Sequence, residues 1–169
     1  RVQGFPTNIR DCKRALLYLR AHAGEFGIDP SRIAVMGASA GGHLSLLLGF
    51  TAENPELNAG LPEGDLGVSC VVALYPVTDL RRWGRVFFRE PDGSMPEGRL
   101  ELASPMAHVR SELPPVMLVH GDADPTVDVS HSRQLENALQ GADVRVEYLE
   151  VAGGEHAFPL ESHERNAQT

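Results

Sequence analysis

Residues 33–44 read Ile-Ala-Val-Met-Gly-Ala-Ser-Ala-Gly-Gly-His-Leu, and the interpretation of the whole chain starts from them. The apolar run at the start of this segment is typical of a buried strand, and the leucines that follow it recur with helical spacing. The pattern therefore predicts a strand over 32–36, a tight turn and a helix over 41–52. Gly37 and Gly41 lack a Cβ, which lets the backbone turn where a side chain would clash.

A serine at the tip of such a strand–turn–helix junction is a candidate nucleophile. Ser39 is expected to project its hydroxyl from the turn, and the backbone N–H of Ala40 is expected to face a developing oxyanion. The alternative is an ordinary glycine-rich junction with no chemistry. Only a suitable base and acid elsewhere in the chain distinguish the two interpretations.

Length and composition are those of one globular domain. The 169 residues are 42% hydrophobic and 22% charged, and the formal net charge of −8 without a basic cluster argues against nucleic-acid binding. We expect no membrane span and no signal peptide, because no apolar run is long enough and no leader pattern opens the chain. Cys12 and Cys70 are interpreted as small core residues. The chain opens on Arg1, so a processed or partial chain stays an alternative, and the compartment is left undetermined.

Four apolar runs alternate with helical patterns, which predicts an α/β fold with a mostly parallel sheet of about four strands flanked by helices. The predicted strands span 32–36, 70–75, 116–120 and 144–151, and the predicted helices span 8–26, 41–52, 80–88 and 128–140. We expect strand 70–75 to be buried on both faces. We expect Lys13 and its neighbouring arginines to lie in water. Residues 1–169 are interpreted as a single domain in which 79–110 is a candidate lid or pocket-lining insertion.

The partners of Ser39 are sought just after the strand ends, because reactive groups in parallel sheets gather beyond the carboxyl ends of the strands. Asp122 and Asp124 follow the third strand, and His156 follows the fourth. Together with Ser39 these residues have the chain order Ser, Asp, His. Asp79, after the second strand, is a further candidate acid.

The other histidines receive non-catalytic interpretations. His43 directly follows the turn and is expected to be structural. Four more are expected at the surface or as caps: His22, His108, His131 and His163. His120, Asp122 and Asp124 alternate along one strand end and are not expected to converge on a metal ion, so we predict no metal and no cofactor.

Three segments in combination resemble an α/β-hydrolase esterase, most of all the hormone-sensitive-lipase-like and feruloyl-esterase-like carboxylesterases. They are residues 37–43, 120–124 and 154–158. The likeness extends over nearly the whole chain through shorter matches at Phe5-Pro6, Asp11, 75–79, Ser104-Pro105 and Pro114-Pro115. It implies that Ser39 is the nucleophile, Asp124 the triad acid and His156 the base, with the N–H of Ala40 as one oxyanion donor.

One motif of that family is missing from this sequence. The family has an upstream strand that ends in His-Gly-Gly and supplies the second oxyanion donor, and these 169 residues contain no His-Gly-Gly. The resemblance implies that the chain corresponds to the C-terminal two-thirds of a hydrolase, as a fragment or as a chain completed by a partner. We therefore expect a bare sheet edge at strand 32–36. The chain on its own is expected to be either a homodimer that joins near this edge or a marginally stable, aggregation-prone monomer of low activity.

These observations predict a serine carboxylesterase whose substrate is a small-molecule ester with a short acyl or an aryl group. One alternative is a peptidase of the prolyl-oligopeptidase type, which has the same order of the three residues. The elbow of such peptidases typically carries an aromatic residue where this chain has Ala40. The other alternative is a truncated hydrolase that acts as a non-catalytic module.

Overall fold

The computed structural model describes residues 4–83 and 98–158. Its strands are β1 (Val35–Ala38), β2 (Val71–Leu74), β3 (Val116–Gly121) and β4 (Val146–Val151). Its helices are α1 (Thr7–Ala21), α2 (Ala23–Phe26), α3 (Ala40–Phe50), α4 (Pro55–Asn58), α5 (Leu80–Trp83), α6 (Arg99–Leu102) and α7 (Ser130–Gly141), with a 3-10 turn over Pro105–His108. No helix in the described part of the chain combines the length and the hydropathy needed to cross a bilayer.

The four strands form one parallel sheet in the order β1-β2-β3-β4. The register aligns Gly37, Ala73, Leu118 and Tyr148 in one row across the sheet. The predicted α/β fold with a mostly parallel sheet is therefore confirmed. Because the strands run in the same direction, the segments that follow them all emerge at one edge, where the candidate site residues lie.

Several predicted boundaries differ from the structure. The helix predicted over 8–26 is divided at His22, which has φ −109° and ψ 20° between α1 and α2. The fourth strand begins at Val146 because Asp143 has a φ of 57° and the N–H of Val144 still bonds to the end of α7. The predicted lid over 79–110 falls partly on residues 84–97, which lie outside the described residues.

The core lies on one face of the sheet, where α3 and α7 both pack. Leu46 and Phe50 of α3 form a buried cluster with Leu135 and Leu139 of α7 and with the strand side chains that point to this face. A second cluster joins α1 to α3, and the half-buried Cys12 packs against it. The helix that follows Ser39 is thus held between the sheet and α1.

The opposite face of the sheet is less covered. Met36 of β1 is 61% exposed, Met117 of β3 is 37% exposed, and Val72 between them is half-buried. The prediction that 70–75 is buried on both faces is therefore wrong for the described part of the chain. The physical reason is that α3 and α7 pack on the same face of the sheet.

Lys13 is fully buried, so the prediction that it lies in water is also wrong. Its ammonium group donates to the carbonyl oxygen of Thr51 at 2.6 Å and to Oδ1 of Asn58 at 2.5 Å. Lys13 thereby ties α1 to the end of α3 and to α4. Burial, with a smaller contribution from the charge of Arg10, lowers the pKa of Lys13 to about 8.

Candidate active site

Ser39 connects β1 to α3 in a backbone conformation that few residues adopt. Its φ is 52° and its ψ is −119°, where a side chain is strained. The turn also requires glycine at position 37, because a Cβ there would lie 2.3 Å from the carbonyl carbon of Gly41 and 2.8 Å from Oγ of Ser45. The sharp turn directs the hydroxyl of Ser39 away from the end of β1.

The prediction that a side chain at position 41 would clash is wrong. A Cβ on Gly41 would meet no atom within 4 Å among the residues described, although its backbone is the obstacle for a side chain at position 37. Gly42 is the second tight position, which the sequence analysis did not identify. A Cβ on Gly42 would lie 3.1 Å from the carbonyl oxygens of both Gly37 and Leu74. Close packing of the first turn of α3 on β1 and β2 is the cause.

Ser39, His156 and Asp124 form a continuous chain of hydrogen bonds. Nε2 of His156 lies 3.0 Å from Oγ of Ser39, and Nδ1 of His156 lies 2.7 Å from Oδ2 of Asp124. Because an ionised carboxylate can only accept, the proton of a neutral His156 resides on Nδ1. Nε2 is then free to accept the proton of the serine hydroxyl, as a general base must.

Asp124 has a side-chain exposure of 0% and is held by the turn that follows β3. Its Oδ1 accepts hydrogen bonds from the N–H groups of Thr126 at 2.8 Å and Val127 at 2.9 Å. Burial by itself would raise the pKa of Asp124, but the hydrogen bonds from Val127, His156 and Thr126 outweigh it and lower the pKa. The carboxylate therefore stays ionised beside His156.

Asp122, the first rival acid, binds the backbone of the loop that follows β4. Its Oδ1 accepts the N–H of Gly153 at 2.6 Å. Gly121 passes so close to this loop that a Cβ on it would lie 2.0 Å from the carbonyl oxygen of Gly154. The loops after β3 and β4 are thus joined, and this contact sets the position of His156.

Asp79, the second rival acid, is engaged by Arg81. Oδ1 accepts from Nε of Arg81 and Oδ2 accepts from its terminal nitrogen, each at 2.8 Å. These hydrogen bonds lower the pKa of Asp79 in spite of the opposing effect of burial. Of the three candidate acids, the structure brings only Asp124 to His156.

Ala40 is the first residue of α3. Its N–H is one of the donors that have no partner inside a helix, and it lies at the positive end of the helix dipole. It directly follows Ser39, so an oxyanion formed at the serine would lie near this N–H.

Tyr75 borders His156 and Phe158 packs on Tyr75, and neither ring was predicted to belong to the site. The ring of Tyr75 lies edge-on to the imidazole of His156 with centroids 4.7 Å apart, and Phe158 lies edge-on to Tyr75 at 5.6 Å. Tyr75 also has a φ of 39°, a strained conformation for a residue with a side chain. The available signal was its place directly after β2, between the strands that lead to Ser39 and Asp124.

Two histidines predicted to be non-catalytic, His43 and His131, bind the backbone of the segment that follows β2. Nδ1 of His43 donates to the carbonyl oxygen of Val77 at 2.9 Å, and burial lowers the pKa of His43 to about 4. His131 was expected at the surface or as a cap, but it is buried in the core and its Nδ1 accepts the N–H of Thr78 at 3.2 Å. That expectation is wrong because α7 packs this side chain against the segment that follows β2.

His22 and His108 make other contacts. His22 stacks on Tyr18 at 4.1 Å, and Nε2 of His108 donates to the carbonyl oxygen of Leu102 at 2.8 Å. His163 lies outside the described residues. Within residues 4–83 and 98–158, no group of three or more His, Cys, Asp or Glu side chains could hold a metal ion.

Comparison with known families identifies the chain. A sequence model of the BD-FAE family matches residues 1–139, which include the Ser39 turn and Asp124. The chain belongs to the BD-FAE family. The resemblance to α/β-hydrolase esterases is thereby confirmed.

Curated relatives align with almost all of this BD-FAE chain. It is 34% identical to a probable carboxylic ester hydrolase, LipM of Mycobacterium tuberculosis, over 98% of the chain and 41% of LipM. The chain therefore spans about two-fifths of the length of this relative.

Solved structures share its fold. An acetyl ester-xyloside bifunctional hydrolase from Caldicellulosiruptor lactoaceticus superimposes with a TM-score of 0.82 at 28% identity, covering 95% of this chain and 61% of the other. Thermogutta terrifontis esterase 2, in a structure phosphorylated by paraoxon, superimposes with a TM-score of 0.73 at 32% identity, covering 89% of this chain and 53% of the esterase.

Proposed function

We propose that this chain carries the nucleophile, base and acid of a carboxylesterase that cleaves small-molecule esters through an acyl-enzyme. The observation that carries the proposal is the hydrogen-bond chain from Ser39 through His156 to Asp124. The names of its relatives support the reaction class, since LipM is described as a carboxylic ester hydrolase. The Thermogutta terrifontis esterase supports a serine-type reaction, since it is phosphorylated by an organophosphate.

Acylation begins when Oγ of Ser39 attacks the carbonyl carbon of the ester. His156 takes the hydroxyl proton on Nε2, and Asp124 stabilises the imidazolium that forms. The negative charge of the tetrahedral intermediate develops next to the N–H of Ala40. The intermediate collapses when the bond to the alcohol oxygen breaks, and His156 returns its proton to that oxygen.

Deacylation repeats the same steps with water. His156 accepts a proton from the water molecule, whose oxygen attacks the acyl carbon bound to Ser39. The second intermediate releases the carboxylic acid, and His156 returns the proton to Oγ. Tyr75 borders the imidazole and Phe158 packs on Tyr75, so we propose that the two rings form an apolar wall beside the reacting acyl group.

Labelling with a fluorophosphonate probe tests the proposal. The probe should modify Ser39 of the purified chain, and p-nitrophenyl acetate should be hydrolysed. Ser39→Ala should abolish both signals without changing the far-UV circular dichroism, whereas Ser31→Ala, a change at an exposed serine, should affect neither.

Three outcomes would contradict this function. A modified serine other than Ser39 would refute the nucleophile. Faster cleavage of a peptide p-nitroanilide than of the ester would favour the peptidase alternative. A folded chain that neither reacts with the probe nor hydrolyses the ester would favour a non-catalytic module.

We also propose that two copies of this chain associate at the free edge of β1. β1 pairs with β2 on one side, and within the described residues no strand lies on its other side. The free edge of β1, together with the exposed side chain of Met36 on the same strand, favours the addition of another strand. Sedimentation equilibrium should show a dimer that Met36→Lys dissociates and that Met117→Lys, on β3, leaves intact. A wild-type chain that stays monomeric would refute this association.

A further inference from the structure

His120 is a buried residue that the proposed reaction does not use. It lies near the end of β3 and is 0% exposed. Its Nδ1 lies 2.7 Å from Oγ of Ser132 in α7, and its Nε2 lies 2.9 Å from the carbonyl oxygen of Val127. Nε2 also lies 3.3 Å from Oδ2 of Asp124, the oxygen that accepts the hydrogen bond from His156.

The hydrogen-bond partners determine the tautomer of His120. A carbonyl oxygen can only accept, so Nε2 must carry a proton to bond with Val127. Burial is the main influence on His120 and lowers its pKa, which favours the neutral ring. A neutral ring with the proton on Nε2 has a bare Nδ1, and the hydroxyl of Ser132 must donate to it. The carbonyl oxygen of Val127 therefore fixes which nitrogen of His120 is the donor, and the hydroxyl of Ser132 satisfies the other nitrogen.

This donor acts on the turn that presents Asp124. Nε2–H binds the carbonyl oxygen of Val127, and the N–H of the same residue binds Oδ1 of Asp124. The partial positive charge on Nε2–H also faces Oδ2 of Asp124. His120 thus acts on both carboxylate oxygens, on one through the backbone and on the other directly.

We propose that His120, held as the neutral Nε2–H tautomer by the carbonyl of Val127 and the hydroxyl of Ser132, is a positioning residue that fixes Asp124 for its contact with His156. The proposal rests on the proposed esterase function for its kinetic consequences. It assigns His120 no contact with the substrate.

The charged surroundings of His120 explain why a neutral ring suits this role. Four titratable groups influence it: Asp124 and His156 at the site, His131 of α7 and Glu150 of β4. A protonated His120 would compete with the imidazolium of His156 for the single negative charge of Asp124. A neutral donor orients the carboxylate and leaves that charge to His156.

A pair of substitutions separates positioning from packing. His120→Gln places an amide N–H near the position of Nε2, whereas His120→Met fills similar volume without a donor. We expect His120→Gln to retain most of kcat. We expect His120→Met to lose about tenfold in kcat with little change in KM, the size of one lost hydrogen bond.

The pH profile of kcat/KM provides a readout that a packing role would not change. Without the Nε2–H group the carboxylate of Asp124 attracts the proton on His156 more strongly. The acidic limb of the profile should therefore move to higher pH in His120→Met and stay in place in His120→Gln. Equal losses in both variants, or a limb that stays or moves to lower pH in His120→Met, would overturn the proposal.

Nitrogen-15 NMR of the imidazole groups tests the tautomer without any activity. In the wild-type chain the His120 signal should be that of a neutral ring with its proton on Nε2, and His120→Gln should remove that signal. Ser132→Ala should shift the Nδ1 resonance of His120 and should lower kcat less than His120→Met does. This second variant tests the proposal even if His120→Met does not fold. A His120 signal with the proton on Nδ1 would refute the tautomer, even in a chain that lacked esterase activity.

Discussion

Gly121 and Gly154 approach each other so closely that a Cβ on Gly121 would lie 2.0 Å from the carbonyl oxygen of Gly154. One glycine ends β3 and the other lies in the loop after β4. The hydrogen bond from the N–H of Gly153 to Asp122 joins the same two segments. The distance between Asp124 and His156 therefore depends on a contact between two backbones.

Gly121→Ala should separate these loops and move His156 away from Asp124. We expect a loss of about 100-fold or more in kcat, since small misplacements of catalytic groups have effects of that size. Hydrolysis of p-nitrophenyl acetate measures the loss. Gly141→Ala is the matched control and should leave kcat unchanged, because a Cβ on Gly141 would meet nothing within 4 Å among the described residues. Full activity in Gly121→Ala would show that the loop contact does not control the site.

Asp124→Asn and Asp122→Asn should differ widely. An amide at position 124 cannot hold His156 in the required tautomer, and the expected loss in kcat is about four orders of magnitude. An asparagine at position 122 keeps an oxygen that can accept from Gly153, so its loss should be below about tenfold. Steady-state kinetics on the two variants provides the ranking, and the reverse ranking would refute the assignment of Asp124.

Tyr75→Ala should impair the orientation of His156, because the edge-on ring contact at 4.7 Å is lost. Such a contact contributes about 1 kcal/mol, which corresponds to a five- to tenfold decrease in kcat. Tyr75→Phe keeps the ring and should behave like the wild-type chain in the same assay. Equal effects of the two substitutions would instead assign the role to the phenolic hydroxyl.

Lys13 should make the stability of the fold depend on pH in the alkaline range. Its pKa is about 8 in the folded chain, below the ordinary value of 10.5, so between these pH values the unfolded chain binds a proton that the folded chain lacks. The contribution of Lys13 to the free energy of unfolding therefore increases as the pH rises from about 8 to 10.5. Below pH 8 Lys13 is charged in both states, and the full cost of burying that charge destabilises the fold.

Urea unfolding of the wild-type chain and of Lys13→Met between pH 7 and pH 10.5 measures this effect. The difference between the two curves removes the contribution of tyrosines and cysteines, which titrate in the same range. The free energy of the wild-type chain should rise relative to that of Lys13→Met. If the free energies of the two proteins changed in parallel with pH, Lys13 would have the same pKa in the folded and the unfolded chain.

Local patterns in the sequence predicted the strand, turn and helix around Ser39, and the chain order of Asp124 and His156 pointed to a common site. These features depend on residues near in sequence and on the rule that parallel strands end at one edge. The burial of Lys13 and His131 was not predictable in this way. Each is buried by a segment distant in the chain, α4 in one case and the loop after β2 in the other.

The aromatic wall at Tyr75 and the donor role of His120 were missed for a related reason. Tyr75 meets His156 at the edge of the sheet from a different strand, and His120 meets Ser132 of α7 twelve residues further along the chain. Neither spacing follows a period that the sequence displays. The exposed face at Met36 was missed because an apolar strand has the same sequence whether one face or both are covered.

Lys13 is the only lysine among the 169 residues, and it is fully buried. Reagents that acylate side-chain amines can therefore reach an ε-amino group in the folded chain only when α1 moves away from α4. The rate at which an N-hydroxysuccinimide ester modifies Lys13 thus reports how often these two helices separate. The chain thus carries one side-chain amine that reports the local opening of these two helices.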